Sequence, residues 1–319
     1  MQPPPLERID GARGPNHARV MRFGNLLVVL TGAIAIAACS STKSEVTASD
    51  AGDAGSTPPL VAARPYHFKE PAGYDPKTPT PLVVLLHGYG AGGIVQQAYL
   101  GLNGLSDSKN FLLAYPDGTV DSAGKRFWNA TDGCCNFDHN PVDDVAYIGQ
   151  IIDDVSAQYN VDPKRIYLVG HSNGAFMSHR FACEVAPRVA AIVTLAGMQW
   201  LDATKCNPAN PVAVLQVHGD ADQTIIYTGG STKSGTYPSA HQTVATWAAK
   251  NGCTGALAAT GQTLDLEATL AGAETTVERY DGCPASVELW TIHGGSHIPG
   301  WTANWPDAMW GFLAANPKK

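Results

Sequence analysis

One pentapeptide carries the clearest chemical signal in this chain: Gly-His-Ser-Asn-Gly at residues 170–174. It is the only G-x-S-x-G sequence among the 319 residues, but the bare pattern is weakly specific. Its context adds the specificity, because it directly follows an apolar run at residues 165–169 and opens a helical pattern at residues 175–185. A reactive serine on a sharp strand-to-helix turn needs that placement. We therefore predict that Ser172 is a nucleophile rather than part of a simple Gly-Ser turn.

The second requirement is an acid that orients the base of such a serine. The sequence His-Gly-Asp-Ala-Asp at residues 218–222 directly follows the apolar run at residues 212–217. A carboxylate at the end of that strand would lie at the same sheet edge as Ser172, since the carboxyl ends of parallel strands share one edge. We predict Asp222 as the orienting acid, with Asp220 as the alternative.

The third requirement is the base itself. The sequence Gly-Gly-Ser-His at residues 294–297 follows the last apolar run, and its glycines allow the loop to return to the sheet edge. We predict His297 as the base. His293 is the alternative, although it follows the strand immediately and is less free to reach the serine. We predict structural roles for His218 and His241.

Ester cleavage through a serine also needs hydrogen-bond donors for the negatively charged oxygen of the tetrahedral intermediate. The backbone N–H of Asn173, directly after the nucleophile, is one predicted donor. The second should come from the loop after the first predicted strand, at Tyr89 or Gly90, and we assign it to Tyr89. Each donor stabilises the transition state by about 3–4 kcal/mol.

The elements that must position these residues are six short apolar runs. They are continuous rather than alternating, which is typical of strands buried on both faces of a parallel sheet. The runs lie at residues 81–86, 111–115, 165–169, 190–195, 212–217 and 287–292. Helical patterns lie at residues 142–159, 175–185, 241–251 and 305–315. Their alternation predicts an α/β fold in which helices cover both faces of a mostly parallel sheet, within one catalytic domain at residues 61–319.

Composition limits the function classes. Charged residues make up 15% of the chain and the net charge is −7 with no basic stripe, so we predict no nucleic-acid partner. The 33 glycines and 22 prolines, with so few charges, argue against a coiled coil. No C-x-x-C pair with matching histidine spacing is present, so we predict no metal site, and the serine chemistry calls for no cofactor.

The N-terminal segment is predicted to be a targeting signal rather than part of the folded domain. An apolar run at residues 26–38 follows Arg22; it is too short to span a bilayer as a helix and matches an export signal. Small residues precede Cys39, as in a bacterial lipobox, so we predict a signal at residues 1–39, lipidation of Cys39 and a membrane contact only through that anchor. An ordinary secretory signal that starts at Met1 or Met21 remains the alternative. Residues 40–60 are rich in small and polar residues and are predicted to be a flexible linker.

Six cysteines remain after Cys39, and an even number in an exported chain predicts disulfides. Because Cys134 and Cys135 are adjacent, we expect each to bond elsewhere rather than to the other. The expected partners are Cys183 and Cys206, in either order. Cys253 and Cys283 would then form the third disulfide.

Taken together, these motifs resemble the polyhydroxybutyrate depolymerase / feruloyl esterase family of secreted α/β-hydrolases. The resemblance extends over about residues 66–310. It rests on segments of this sequence at residues 81–88, 115–118, 128–129, 134–135, 142–145, 165–174, 218–222 and 294–297. It implies an α/β-hydrolase fold and a serine carboxylesterase that uses Ser172, Asp222 and His297. Ser296 before the base and Ile298 after it depart from the family pattern, and these departures concern the substrate pocket rather than the triad.

Aromatic side chains near these motifs could bind substrate. We predict Trp128 and Trp301, with Trp305 and Tyr89, as a platform for an aromatic acid or the face of a sugar; the alternative is that these rings only pack. The predicted function is hydrolysis of feruloyl or acetyl esters of plant polysaccharide, or of short polyesters, outside the cell or at its surface. An acyltransferase or a peptidase with the same triad, or a non-catalytic surface lipoprotein, are the alternatives.

Overall fold

The structure is a computed structural model that describes residues 58–319. The predicted signal, the lipidation of Cys39 and all but the end of the predicted linker lie outside these residues. The described chain begins with a short helix at Pro59–Ala63, whose Val61 is buried.

One mixed sheet organises the domain. Its strands are β1 (His67–Lys69), β2 (Thr80–Leu86), β3 (Leu112–Tyr115), β6 (Val161–His171), β7 (Ala191–Leu195), β8 (Ala213–Gly219), β11 (Leu257–Leu264), β12 (Thr275–Tyr280) and β13 (Val287–Ile292). Two short hairpins supply β4 (Thr119–Val120) with β5 (Arg126–Phe127) and β9 (Gly230–Ser231) with β10 (Thr236–Tyr237). The nine strands pair in the order β1-β3-β2-β6-β7-β8-β13-β12-β11.

The six predicted strands all form, and they are the parallel centre of this sheet, β3-β2-β6-β7-β8-β13. Every residue of β2 is buried, and its side chains alternate between two cores: Leu82, Val84 and Leu86 face one, while Val83 and Leu85 face the other. A strand with apolar neighbours on both faces needs apolar residues at every position, which explains the continuous runs. The antiparallel outer strands β1, β11 and β12 lack such runs and were not predicted.

Helices cover both faces of the sheet, as the alternating pattern predicts. They are α1 (Pro59–Ala63), α2 (Gly93–Tyr99), α3 (Leu102–Lys109), α4 (Asp144–Gln158), α5 (Asn173–Glu184), α6 (Ala240–Asn251) and α7 (Trp305–Ala315). Buried side chains of α4, α5 and α6 belong to one core, and those of α3 and α7 belong to the other. The four predicted helices correspond to α4–α7. None of the helices within residues 58–319 combines the length and hydropathy that a membrane crossing would require.

The strand register brings the chemically interesting loops to one edge. Leu86 of β2 is aligned with Gly170 of β6, and Gly219 of β8 is aligned with Ile292 of β13. The segments that follow these strands carry the predicted oxyanion loop, nucleophile, acid and base. All four therefore leave the carboxyl edge of the same parallel sheet.

Three disulfides are formed in the described chain: Cys134–Cys135, Cys183–Cys206 and Cys253–Cys283. The predicted Cys253–Cys283 pair is confirmed. The prediction that Cys134 and Cys135 bond to the other two cysteines is wrong. It rested on the closeness of neighbouring Cα atoms, yet Cys134 and Cys135 bond to each other with their Cα atoms 3.1 Å apart, across a cis peptide bond.

The Cys253–Cys283 disulfide generates a stability prediction. It joins residues 30 positions apart, so it restricts a long loop of the unfolded chain. Replacing both cysteines with serine should lower the free energy of unfolding by about 3–4 kcal/mol. Urea titration followed by circular dichroism measures the change. The native protein under the same non-reducing conditions is the control, and an unchanged unfolding midpoint in the double variant would contradict the prediction.

Candidate active site

Ser172 sits on a strained turn between β6 and α5. Its φ of 53° and ψ of −121° are unfavourable for a residue with a side chain. Two glycines make the turn possible, since a Cβ at Gly174 would overlap the carbonyl oxygen of Leu86 and a Cβ at Gly170 would overlap the carbonyl oxygen of Gly174. The N–H of Ser172 donates to the carbonyl of Leu195 at 2.8 Å, which anchors the turn to β7. This geometry matches the strand–turn–helix that the sequence predicts around the serine.

Asp222 and His297 are joined by a short hydrogen bond. His297 Nδ1 lies 2.7 Å from Asp222 Oδ2, although 75 residues separate them in the chain. The other carboxylate oxygen, Oδ1, accepts the N–H of Thr224 at 2.7 Å and that of Ile225 at 3.0 Å. With Nδ1 donating to the carboxylate, Nε2 of His297 is left as the nitrogen that can accept a proton.

The surroundings of Asp222 keep it ionised. Burial by itself opposes the charge, but hydrogen bonding with His218 and His297 and the Thr224 N–H outweigh it, so the pKa of Asp222 is held well below its usual range. The side chain is fully buried. A carboxylate that is ionised and hardly hydrated interacts strongly with a positive charge on His297.

The alternative acid and base pair with each other. His293 Nδ1 lies 2.9 Å from Asp220 Oδ2, and the N–H of Gly294 donates to Asp220 Oδ1 at 2.6 Å. Both side chains are solvent-exposed, and His293 Nε2 bonds to Thr276 Oγ1 at 3.0 Å. This second pair therefore holds the start of the loop that carries His297.

The loop of His297 is tied to the residue before the nucleophile. His171 Nε2 donates to the carbonyl of His297 at 3.0 Å, and the two rings lie 5.1 Å apart. Burial lowers the pKa of His171 to about 3, so this ring is neutral at physiological pH.

Within residues 58–319, no hydrogen bond joins Ser172 Oγ to His297. In enzymes without bound substrate this contact is often longer than in the reacting complex.

Two backbone N–H groups beside Ser172 are free to act as donors. Gly90 is excluded, since its N–H donates to the carbonyl of Arg126 at 2.8 Å, and the N–H of Gly88 is occupied by Gln96 Oε1 at 3.1 Å. The N–H groups of Tyr89 and Asn173 have no acceptor within the described part of the chain. These are the two positions that the sequence predicts for the oxyanion hole.

Trp128 lies beneath the site rather than on its surface. It is fully buried, and its indole N–H donates to the carbonyl of His87 at 3.0 Å. Its backbone N–H donates to Asn173 Oδ1 at 2.7 Å, and its carbonyl accepts from Asn173 Nδ2 at 3.1 Å. The prediction that Trp128 binds substrate disagrees with this burial. Its interactions instead hold the residue that follows the nucleophile.

The other predicted aromatic residues differ in exposure. Trp305 is fully buried, while Trp301 is partly exposed and stacks on it at 3.9 Å between ring centroids. Tyr89 is also partly exposed, and its hydroxyl donates to Asp121 Oδ2 at 2.5 Å. The backbone around Trp301 is tied to Tyr99, whose hydroxyl donates to the carbonyl of Pro299 at 2.9 Å. Trp301 therefore remains the candidate for contact with substrate.

His87 is a further site residue whose role the sequence did not predict. Its Nε2 accepts the N–H of Gly118 at 2.8 Å, and its Nδ1 donates to the carbonyl of Gly88 at 2.8 Å. The ring therefore fastens the loop that carries Tyr89 to the start of the β4 hairpin. The His-Gly sequence after the first strand was the available signal, but it could not show which backbone groups the ring would bond.

Three buried histidines generate a prediction on pH and stability. Burial lowers the pKa of His87 to about 4, of His171 to about 3 and of His179 in α5 to about 4, against 6.5 for an exposed histidine. The unfolded chain therefore binds more protons below pH 6.5, at about 1.4 kcal/mol per pKa unit. Their contribution to stability is complete above pH 6.5 and is lost as the pH falls towards 4.

Urea midpoints measured between pH 7 and pH 4 should fall steadily over that window. A His179→Gln variant should show a shallower decline, and the exposed His241→Gln control should follow the native slope. A midpoint that does not change with pH would contradict the prediction.

Comparison with known proteins agrees with this geometry. A family model described as Phospholipase/Carboxylesterase matches residues 74–246, which are 173 of the 319 residues. Feruloyl esterase B of Piromyces equi is 31% identical over 199 residues, which cover 59% of this chain but only 34% of that protein. The chain thus spans about a third of the length of that relative. Feruloyl esterase D of Neurospora crassa is 28% identical over 297 residues, covering 89% of this chain and 90% of that protein.

Among solved structures, the acetyl xylan esterase from Aspergillus awamori superposes with a TM-score of 0.55 over 78% of this chain and 93% of that one. Its sequence identity is 16%, so the likeness concerns the fold. The predicted α/β-hydrolase fold is confirmed by the sheet and by this neighbour. With more than half of its length matched by the family model, the chain belongs to the phospholipase/carboxylesterase family.

Proposed function

We propose that this protein is a serine carboxylesterase that cleaves feruloyl or acetyl esters of plant polysaccharide through an acyl-enzyme. The observation that carries the proposal is the buried, ionised Asp222 bonded to His297 at 2.7 Å, at the sheet edge where Ser172 heads α5. Burying an ionised carboxylate costs free energy, and a non-catalytic lipoprotein would have no need for such a group.

The mechanism follows from the hydrogen-bond directions. Asp222 accepts a hydrogen bond from Nδ1–H of His297, so Nε2 of the same ring takes the proton of Ser172 as Oγ attacks the ester carbonyl. The N–H groups of Tyr89 and Asn173 stabilise the negative oxygen that forms. The imidazolium then protonates the leaving alcohol, and a water activated by the same ring releases the acid from Ser172.

The substrate class rests on the names of the relatives and on one exposed ring. Feruloyl esterases and an acetyl xylan esterase are among the proteins that resemble this chain. Trp301 stacks on Trp305, and its ring lies 6.0 Å from that of Tyr99, which in turn lies 5.6 Å from the ring of His171 before the nucleophile. A planar aromatic acid could stack on such a ring. Short polyesters of hydroxybutyrate are the second candidate, since the ester chemistry is the same.

We place the enzyme outside the cytoplasm. Three disulfides in the described chain are typical of an oxidising compartment. The apolar segment before Cys39 supports export and a lipid anchor at that cysteine. Mass spectrometry of the exported protein tests this directly, since lipidation would add acyl mass to a peptide that begins at Cys39.

The triad is tested by three variants of its own residues, and variants of the neighbouring Asp220–His293 pair are the matched controls for Asp222 and His297. Ser172→Ala, Asp222→Asn and His297→Gln should each lower kcat for a p-nitrophenyl ester by at least about 10⁴-fold. Asp220→Asn and His293→Gln remove the neighbouring pair and should keep kcat within about tenfold of native, because that pair does not take up the serine proton. Native activity in Ser172→Ala, or an equal loss in both pairs, would remove the proposed assignment. Labelling by a fluorophosphonate should require Ser172.

Substrate choice is tested with methyl ferulate, acetylated xylan and hydroxybutyrate oligomers. Trp301→Ala should raise KM for methyl ferulate by about two- to tenfold, the size of one aromatic pair, and leave KM for the acetyl ester unchanged. Trp310→Ala is the control, because Trp310 is also partly buried but stacks on Phe111, away from the site. Equal changes in KM for both esters would exclude a role for Trp301 in recognising the aromatic acid.

A further inference from the structure

A chain of buried polar side chains runs through the core from α6 to the proposed catalytic acid. It consists of Trp247, His179, Gln216 and His218, and it ends at Asp222. The first four are fully buried, and Asp222 nearly so. Apolar residues of the same size would fill this space without the free-energy cost of desolvating polar groups. Packing alone therefore does not explain why these residues are polar.

The hydrogen-bond directions in this series of side chains are determined by Trp247. An indole N–H can only donate, and Trp247 Nε1 donates to His179 Nδ1 at 3.0 Å. His179 must then carry its proton on Nε2, which donates to Gln216 Oε1 at 3.2 Å. Burial lowers the pKa of His179 to about 4, so the ring holds a single proton at neutral pH.

The direction continues through Gln216 to His218. The Nε2–H of His179 requires an acceptor, so the oxygen of the Gln216 amide faces His179, and this oxygen also lies 2.8 Å from Thr194 Oγ1. The amide nitrogen therefore faces His218 Nδ1, at 3.4 Å. An NH₂ group can only donate, so His218 accepts at Nδ1 and carries its proton on Nε2.

The Nε2–H of His218 acts on the loop of the proposed acid. It donates to the carbonyl of Ile225 at 2.8 Å and lies 3.2 Å from Asp222 Oδ2, the oxygen that bonds to His297. The N–H of Ile225 donates in turn to Asp222 Oδ1 at 3.0 Å. His218 thus holds one side of the loop at residues 222–225 and places a polar hydrogen next to the carboxylate.

We propose that His218, kept as the Nε2–H tautomer by Gln216 and His179, is a positioning residue that fixes the carboxylate of Asp222 for its bond to His297. The inference rests on the proposed triad. The opposite tautomer would turn a bare nitrogen lone pair towards the Ile225 carbonyl and the carboxylate, and both would be repelled. Gln216 and His179 do not contact Asp222, but they influence its position because they exclude that tautomer of His218.

The first test compares two nearly isosteric replacements. Gln at 218 can place an amide N–H near the position of Nε2, whereas Met fills similar space with no donor. His218→Met should lower kcat by about ten- to hundredfold, the usual effect of losing a group that orients an active-site residue, with KM unchanged. His218→Gln should recover most of that loss. Equal kcat in the two variants would overturn the proposal, since space filling alone would then explain the residue.

The second test acts one step further from the site. Gln216→Met removes the donor to His218 Nδ1. Gln199→Met is its control, because Gln199 is also buried and, within residues 58–319, its side chain hydrogen-bonds to Thr246 at 3.2 Å and not to His218. We expect a lower kcat at unchanged KM for the first variant and native kinetics for the second. Thermal melting identifies any variant that fails to fold. Native kcat in a folded Gln216→Met variant would overturn the proposal.

A spectroscopic measurement separates this inference from the proposed function and needs no variant to fold. In the native protein with ¹⁵N-labelled histidine, the nitrogen shifts of His179 and His218 should show protons on Nε2 of both rings. A proton on Nδ1 of His218 would overturn the inference even if the protein hydrolyses esters. A native protein that shows the expected tautomers but neither cleaves esters nor reacts with a fluorophosphonate would overturn the proposed function instead.

Discussion

The hydrogen bond between His297 Nδ1 and Asp222 Oδ2 is the interaction on which the site depends. It links a loop after β8 to a loop after β13, two strands that are neighbours in the sheet and are aligned from Val214 with Val287 to Gly219 with Ile292. A shift of one residue in that register would move one loop relative to the other by about 3.3 Å, more than a hydrogen bond tolerates. The long central strands and their apolar residues therefore serve the chemistry by fixing this alignment.

Buried histidines perform much of the positioning around that bond. His87 fastens the oxyanion loop, His171 holds the carbonyl of His297, and His218 holds the loop of Asp222. A neutral imidazole offers one donor and one acceptor on opposite sides of a rigid ring, so it can connect two backbone segments without bringing a charge into the core. Burial lowers the pKa values of His87 and His171 and keeps these two rings neutral, while hydrogen bonds keep the buried Asp222 ionised.

The strain at Ser172 is compensated locally. Its positive φ is maintained by the hydrogen bond from its N–H to Leu195 and by close backbone packing at Gly170 and Gly174. Asn173 is held in turn by two hydrogen bonds to the backbone of Trp128. A serine and a backbone donor that are already placed before substrate arrives need little reorganisation during the reaction.

Much of the architecture could be predicted from the sequence, because burial on both faces leaves a continuous apolar run that is visible locally. The six central strands, the four longer helices and the Ser172 turn were predicted in this way. The outer strands β1, β11 and β12 were not, since strands with one exposed side or few buried residues lack that signal. The pairing of Cys134 with Cys135 was predicted wrongly, because the sequence shows which cysteines are adjacent but not which sulfur atoms meet in the folded chain.

The sequence by itself determined which residue types follow each strand and therefore which kind of chemistry is available at the sheet edge. Only the tertiary structure decided how they pair: Asp222 with His297, Asp220 with His293, and Trp128 with Asn173 in the interior. The same holds for His218, whose tautomer depends on contacts that reach α6. Hydrophobic patterns record the burial of single segments, whereas hydrogen-bond partners depend on distances of a few tenths of an ångström between segments that only folding brings together.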